Sequence, residues 1–209
     1  MDIDLPHLSA DRRYKLLTAL VIPRPIAWIT SVSAEGVVNL APYSFFNVLG
    51  NRPPVIAFGP GERGPGVLKD THRNIEATRE FVVNLVHPEA AEVMHKSAAP
   101  FPANVSEVAA LGLELTPSQA IQAPRLALAR VALECRLHET VRVMDNYIVL
   151  GLVQHLFVED GIIDPETLRM NQQSFVAVGR MQGPGIYCTT EHTLDLGPMP
   201  TPEQALVKS

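Results

Sequence analysis

The chain has 209 residues, of which 46% are hydrophobic and 19% charged, and its formal net charge is −5. That length can bury a sizeable core within one domain, and the composition excludes a disordered chain. Lysines and arginines are scattered singly along an acidic chain, which excludes a nucleic-acid binder that would need a concentrated basic surface.

The start, MDIDLPHLSADRRYK, is polar and acidic and does not read as a secretory leader. No apolar run approaches the roughly 20 residues that span a bilayer. Cys135 and Cys188 lie far apart without a CxxC, so they read as free thiols in a reducing compartment. A cytoplasmic protein without a membrane partner is expected.

Ser9 reads as the N-cap of a short helix over Asp11–Thr18, with Tyr14 and Leu17 on its inner face. From Ile26 the texture turns to β: AWITSV, a turn at Ala34-Glu35-Gly36, then the run VVNLAPYSFF, which together predict a hairpin. PPVIAF follows as a strand with prolines at its first positions, where a missing donor does least harm. The Gly/Pro-rich loop from Gly59 to Gly66 precedes a short helix, KDTHRNIEATRE, which leads into the strand EFVVNLV. PEAAEVMHKSA is a further helix with Pro88 in its first turn. Residues 98–125 read as loop with one short strand near Leu113–Leu115. Two long strands follow, RVALECRLHETVRV and NYIVLGLVQHLFVED, joined through Asp145-Asn146; Asp160-Gly161 turns the chain again. A partly helical stretch runs from Pro165 to about Val178, and a Pro-rich tail occupies 191–209. Short strands with brief helices and no βαβ alternation predict a mainly antiparallel β-barrel with peripheral helices.

Two nucleotide readings fail. Gly61 and Gly66 have Walker-loop spacing, but Val67-Leu68 stand where Lys and Ser/Thr are required. No GxGxxG lies between a strand and a helix. The seven histidines show neither HxxxH nor HExxH spacing, so no metal is expected, and no Ser-His-Asp or Cys-His arrangement stands out.

The chemistry-bearing residues are polar ones inside apolar strands. Thr30 and Ser31 end the AWITS strand, and Asn39 and Ser44 punctuate the next run around Leu40, Ala41, Pro42 and Tyr43. Alternating polar residues usually mark a solvent face. Here a proline interrupts the ladder among aromatics, a place where backbone and small polar groups can meet a flat ligand. Lys69-Asp70-Thr71 open a helix, where unpaired amides with a hydroxyl and an ammonium suit a phosphate; the plainer reading makes Asp70 or Thr71 a cap and Lys69 a surface residue.

Taken in order, RPIAWITSVSAEGVVNLAPYSFFNVLGNRPPVIAF and KDTHRNIEATREFVVNLV, with weaker matches through VLGLV and GRMQGPGIY, resemble the flavin reductase-like, FMN-binding split-barrel family, and its flavoredoxin-related branch. The resemblance covers roughly residues 20–190. It implies a Greek-key split barrel pairing into a homodimer, with FMN, or FAD in its place, near the interface. Thr30, Ser31 and the run Asn39–Ser44 would meet the ribityl chain and ring; Lys69, Thr71 and Asn74 would hold the phosphate; Arg180 and Tyr187 would close the site. Trp28 reads as core, and His138 and His155 as structural. The implied reaction is hydride transfer from NADH or NADPH to flavin, with a partner monooxygenase as a consumer of reduced flavin. Short flavin reductases carry Gly-Asp-His before the strand matching YIVLGLV; this chain reads Met144-Asp145-Asn146. That departure keeps two alternatives open: an FMN electron carrier without nicotinamide turnover, and a binding module that holds a flat ligand. The related pyridoxamine-phosphate oxidases are disfavoured by the lack of a basic cluster for a second phosphate.

Overall fold

In the computed structural model, which describes residues 1–64, 66–171 and 173–206, the helix α1 (Ala10–Leu20) begins at Ser9, whose hydroxyl accepts from the Arg12 amide. Strands β1 (Arg24–Pro25), β2 (Ala27–Val32), β3 (Val38–Tyr43), β4 (Phe46–Asn51) and β5 (Pro54–Phe58) follow. A small hairpin of β6 (Glu62–Gly64) and β7 (Val67–Leu68) occupies the expected Gly/Pro loop. Next come α2 (Asp70–Thr78), β8 (Glu80–Leu85), α3 (Ala91–Lys96), α4 (Glu107–Ala110), β9 (Leu115–Thr116) and β10 (Arg125–Leu126). The long strands β11 (Val131–Val143) and β12 (Asn146–Val158), then β13 (Val178–Arg180), β14 (Tyr187–Thr189) and α5 (Pro202–Ala205), complete the order. No helix among the described residues is long and apolar enough to cross a membrane.

The main sheet has seven strands in the order β3-β2-β8-β11-β12-β5-β4, all antiparallel. Its two edge strands are consecutive in sequence. Laid flat, seven strands would hold their edges roughly 29 Å apart. The three peptide steps from Tyr43 to Phe46 reach at most ~11 Å, so the sheet must curl until its edges meet at that corner. The ladder is not continued between β3 and β4, and the fold is a split, mainly antiparallel barrel.

Two apolar clusters follow from strand alternation. Ala27, Ile29, Tyr43, Phe58, Phe81 and Val83 share one cluster with Ile75 of α2. Trp28, Leu40 and Val82 point the other way, into a second cluster with Met94 of α3, Leu126 and Val178. β2 is therefore buried on both faces. Trp28 is core, and its indole N–H donates to Ser97 at 2.9 Å.

Several expectations are corrected. Tyr14 and Leu17 are not an inner face: they are 60% and 45% exposed, and Thr18 is the residue α1 buries. VVNLAPYSFF is not one strand, because its end opens β4 on the opposite sheet edge. The β11–β12 turn is Met144-Asp145, since Val143 pairs with Asn146; Met144 takes φ +54°. The described residues from Pro165 to Ala177 form turns and irregular chain, with one isolated bridge, Ile163–Met170, rather than helix. Residues 98–125 carry α4, and their strand begins at Leu115.

Candidate functional site

Period-2 geometry separates the Thr30-Ser31 pair. Thr30 faces the outer cluster, where its hydroxyl donates to the Pro124 carbonyl at 2.6 Å and accepts from Asn84 Nδ2 at 3.4 Å. Ser31 lies on the other face opposite Asn39, beneath the first turns of α2. There Asn74 Nδ2 donates to Ser31 Oγ at 3.3 Å, and Asn39 Nδ2 donates to Thr71 Oγ1 at 2.7 Å. All four side chains are buried. Tyr43 lies on the same face beside Thr71; burial, the largest influence, pushes its phenol up to about 12, so it stays protonated at neutral pH.

Leu40 and Pro42 share Thr30's face of the β2–β3 pair, and Ala41 lies opposite Ile29. On the outer edge of β3 the Leu40 amide donates to Glu107 Oε2 at 2.9 Å, and Pro42 has no N–H to offer. Burial, with the nearby Asp70 charge, raises the Glu107 carboxyl above its ordinary value despite that bond. Ser44 sits at the corner between the edge strands and accepts from Arg24 Nε at 3.3 Å.

The first turn of α2 is where charge gathers. Lys69 is the N-cap and makes no side-chain cap bond, so first-turn amides remain to be satisfied from outside the helix. Its ammonium stands 5.4 Å from the Tyr43 ring centroid and has no carboxylate within ion-pair distance among the described residues. Burial, and then the neighbouring Arg63 charge, lower its pKa. Asp70, buried, is gripped by both Arg63 and Arg73. Two guanidiniums against one carboxylate leave positive charge beside Lys69. A desolvated, unpaired ammonium at an uncapped helix start is a fitting seat for a phosphate-like anion.

A surface hollow of about 770 Å³ opens beside this helix, bordered by Arg73, Asn74, Leu68 and Asn104; another of about 630 Å³ lies beyond Val37 against Val108 and Leu115. Neither is lined by Lys69 or Tyr43, so the charge pattern, not a hollow, marks the site.

Arg180 stands apart from the α2 cluster. It pairs with Arg24 across β1 and β13, and its Nη1 donates to the Tyr187 hydroxyl at 2.9 Å. Among the described residues its link to the Asn39–Ser44 run passes through Arg24. His138 and His155 are exposed on their strands. Sequence reasoning missed Arg63 and Arg73 as partners of Asp70 and Glu107 as the partner of the β3 edge. Only the Asp70–Arg73 spacing of three on a helix could have been read in advance.

Comparison with known proteins places this arrangement. The model of the flavin reductase like domain matches residues 19–179. An uncharacterized protein of Deinococcus radiodurans is 46% identical over 199 residues, covering 93% of this chain and 88% of that one. The solved structure of Pseudomonas fluorescens 2-nitrobenzoate 2-nitroreductase NbaA is 35% identical, with a TM-score of 0.87 over 100% of this chain and 99% of that one. Nitrilotriacetate monooxygenase component B from Bacillus cereus is 30% identical, with a TM-score of 0.87 over 94% and 98%.

Proposed function

This chain belongs to the flavin reductase-like family, and on that premise we propose that it binds FMN and acts as an NAD(P)H-dependent flavin oxidoreductase. The observation that carries the reading is the Lys69 ammonium, half-buried at the open start of α2 with no carboxylate within ion-pair distance among the described residues. Lys69, the first-turn amides and Thr71 bind the flavin phosphate, with Asn74 beside them. Arg63 and Arg73 hold Asp70, so its charge does not cancel that of Lys69. Ser31 and Asn39, with Ala41 and Tyr43 on the same face of the β2–β3 pair and Ser44 at the corner, line the ring and ribityl side. Thr30 is turned to the opposite cluster, and Arg180 flanks the Ser44 end. FMN supplies the hydride-accepting ring, and the protein supplies placement and electrostatics. Nothing in the donor set distinguishes FMN from the corresponding half of FAD.

The Bacillus cereus relative is named as a monooxygenase component, which supports delivery of reduced flavin to a partner monooxygenase. The partner copy of this chain is a second proposal. Tyr14, Leu17, Leu20 and Val21 of the α1 region are exposed alongside Phe45, Val48 and Leu49 at β4, and the Tyr14 and Phe45 rings are 6.1 Å apart. That apolar face on an open sheet edge suits a homodimer.

An electron-carrier reading is favoured by one feature: the exposed Met144-Asp145-Asn146 turn carries no histidine. The deciding experiment is an absorption spectrum of the purified protein, followed by NADH and NADPH consumption with added FMN. Steady consumption supports the reductase, bound flavin with negligible turnover the carrier, and a colourless protein that leaves FMN fluorescence unquenched would end both.

A further inference from the structure

Tyr187, Arg180 and His95 come together from β14, β13 and α3, outside the charged start of α2. The Arg180 guanidinium donates from Nη1 to the Tyr187 hydroxyl at 2.9 Å and from Nη2 to the Gly183 carbonyl at 3.0 Å. That hydroxyl also lies 2.9 Å from His95 Nδ1. The Tyr187 oxygen therefore stands between the guanidinium and the imidazole, the donor in the second contact following the His95 tautomer.

A guanidinium carries five N–H groups, and two of those on Arg180 are used. The other three have no acceptor among the described residues, and no carboxylate lies within ion-pair distance of Arg180 or Arg24. Arg24 is a different case. Buried behind Arg180, it donates to the carbonyls of Thr18, Val21 and Met181 and to the Ser44 hydroxyl. Its burial, and next the Arg180 charge facing it, lower its pKa. Two like charges on paired strands therefore stand uncompensated, one clamped and one half-exposed with free donors. The Tyr187 ring adds an aromatic surface, with the Arg180 guanidinium 5.0 Å from its centroid.

We propose that Arg180, Tyr187 and His95 form a recognition site for the carboxylate of a small organic acid, the second ligand of the flavin site argued above, on which reading the role as second ligand rests. A planar fork with free N–H groups matches a carboxylate in paired hydrogen bonds. A single accessible cation suits a monoanion better than a phosphate dianion. The link from Arg24 to Ser44 puts the site at the corner end of the Asn39–Ser44 run, away from the phosphate seat at Lys69.

Isothermal titration of the full chain, with and without FMN, tests the assignment using benzoate, neutral benzamide and inorganic phosphate as probes. Benzoate should bind at least about tenfold more tightly than benzamide, and Arg180→Met should remove that preference. Tyr187→Phe, which keeps the guanidinium, should weaken benzoate roughly threefold to tenfold. Equal affinity for benzoate and benzamide, tighter binding of phosphate than of benzoate in the FMN-loaded chain, where the Lys69 seat is filled, or an unchanged benzoate affinity in Tyr187→Phe would overturn the proposal. Arg180→Met is decisive where it folds, and Tyr187→Phe decides where it does not. The two readings fail separately: benzoate discrimination in a chain that takes up no FMN leaves this site standing, and bound FMN without discrimination removes it alone.

Discussion

Thr30 and Ser31 are neighbours on β2, yet they serve two polar clusters of different character. Around Thr30 every group has a partner inside the protein. Asn84 Nδ2 donates to the Trp28 carbonyl at 2.9 Å, its Oδ1 accepts from the Leu126 amide at 2.9 Å, and Thr30 itself reaches Pro124. Around Ser31 the buried hydroxyls and amides are also paired, but at the adjoining helix start Lys69 has no ion-pair partner among the described residues and makes no side-chain cap bond. Buried polarity alone therefore does not identify a site. Charge that the fold has desolvated and left unpaired does, because the protein gains nothing from it until an anion arrives.

The comparison breaks most clearly at Asn84. Replacing it with Ala leaves the Leu126 amide in the core without its partner and removes the side-chain bond to the Trp28 carbonyl, a loss of about 3 kcal/mol in folding stability. Urea unfolding should show that loss while FMN affinity per folded molecule stays unchanged. A weaker flavin affinity with intact stability would mean that the Thr30 cluster, not the Ser31 cluster, carries the ligand.

Lys69→Ala sharpens the other half. FMN affinity should fall by about 1.5–3 kcal/mol, the worth of a hydrogen bond to a charged group, read by quenching of flavin fluorescence. Its unfolding midpoint should hold or rise, since the variant no longer desolvates an unpaired ammonium. Unchanged affinity would dismiss the phosphate seat.

A smaller effect on the barrel is expected at Gly151 of β12. A Cβ there would meet Phe81 Cζ at 2.5 Å and Ile56 Cδ1 at 3.2 Å, both on fully buried side chains. Gly151→Ala should therefore destabilise by roughly 1–2 kcal/mol with flavin affinity untouched, as thermal unfolding would report.

How much of this the sequence discloses depends on whether the cue is local. The β2–β3 hairpin, the Lys69 helix start and the β strands flanking them are written in alternation, a glycine turn and a short polar opening. The split of Thr30 from Ser31 is legible too, because successive side chains in a strand oppose each other, but a motif quoted as a pair conceals it. The corner at Ser44-Phe45 is not legible: no glycine marks it, and closure of β3 onto the far edge depends on five intervening strands. The β11–β12 turn is misplaced by one residue because Asn146 advertises the left-handed conformation that Met144 takes. The stretch after Pro165 has helix-forming residues, yet Leu168 adopts φ +54° and the chain bends. Arg63 reaches Asp70 only once the β6–β7 hairpin forms.

The smallest effect concerns acid. His72 follows Thr71 on α2 and is almost wholly buried, its ring edge-on to Tyr147 with centroids 4.9 Å apart. Nε2 lies 3.6 Å from Glu76, and Nδ1 has no partner among the described residues. Burial lowers its pKa below the ordinary 6.5, although Glu76 and, more weakly, Glu62 oppose the shift. Between the depressed folded value and 6.5 the unfolded chain binds more protons, so stability is intact above pH 6.5 and declines as pH falls below it. For one proton the decline cannot exceed ~1.4 kcal/mol per pH unit. In His72→Leu, urea unfolding at pH 7.5 and 5.5 should show a smaller drop than in the parent chain. An equal drop would assign the acid sensitivity to other groups, and a loss of FMN affinity at pH 7.5 in the same variant would draw His72 into the site that Thr71 borders.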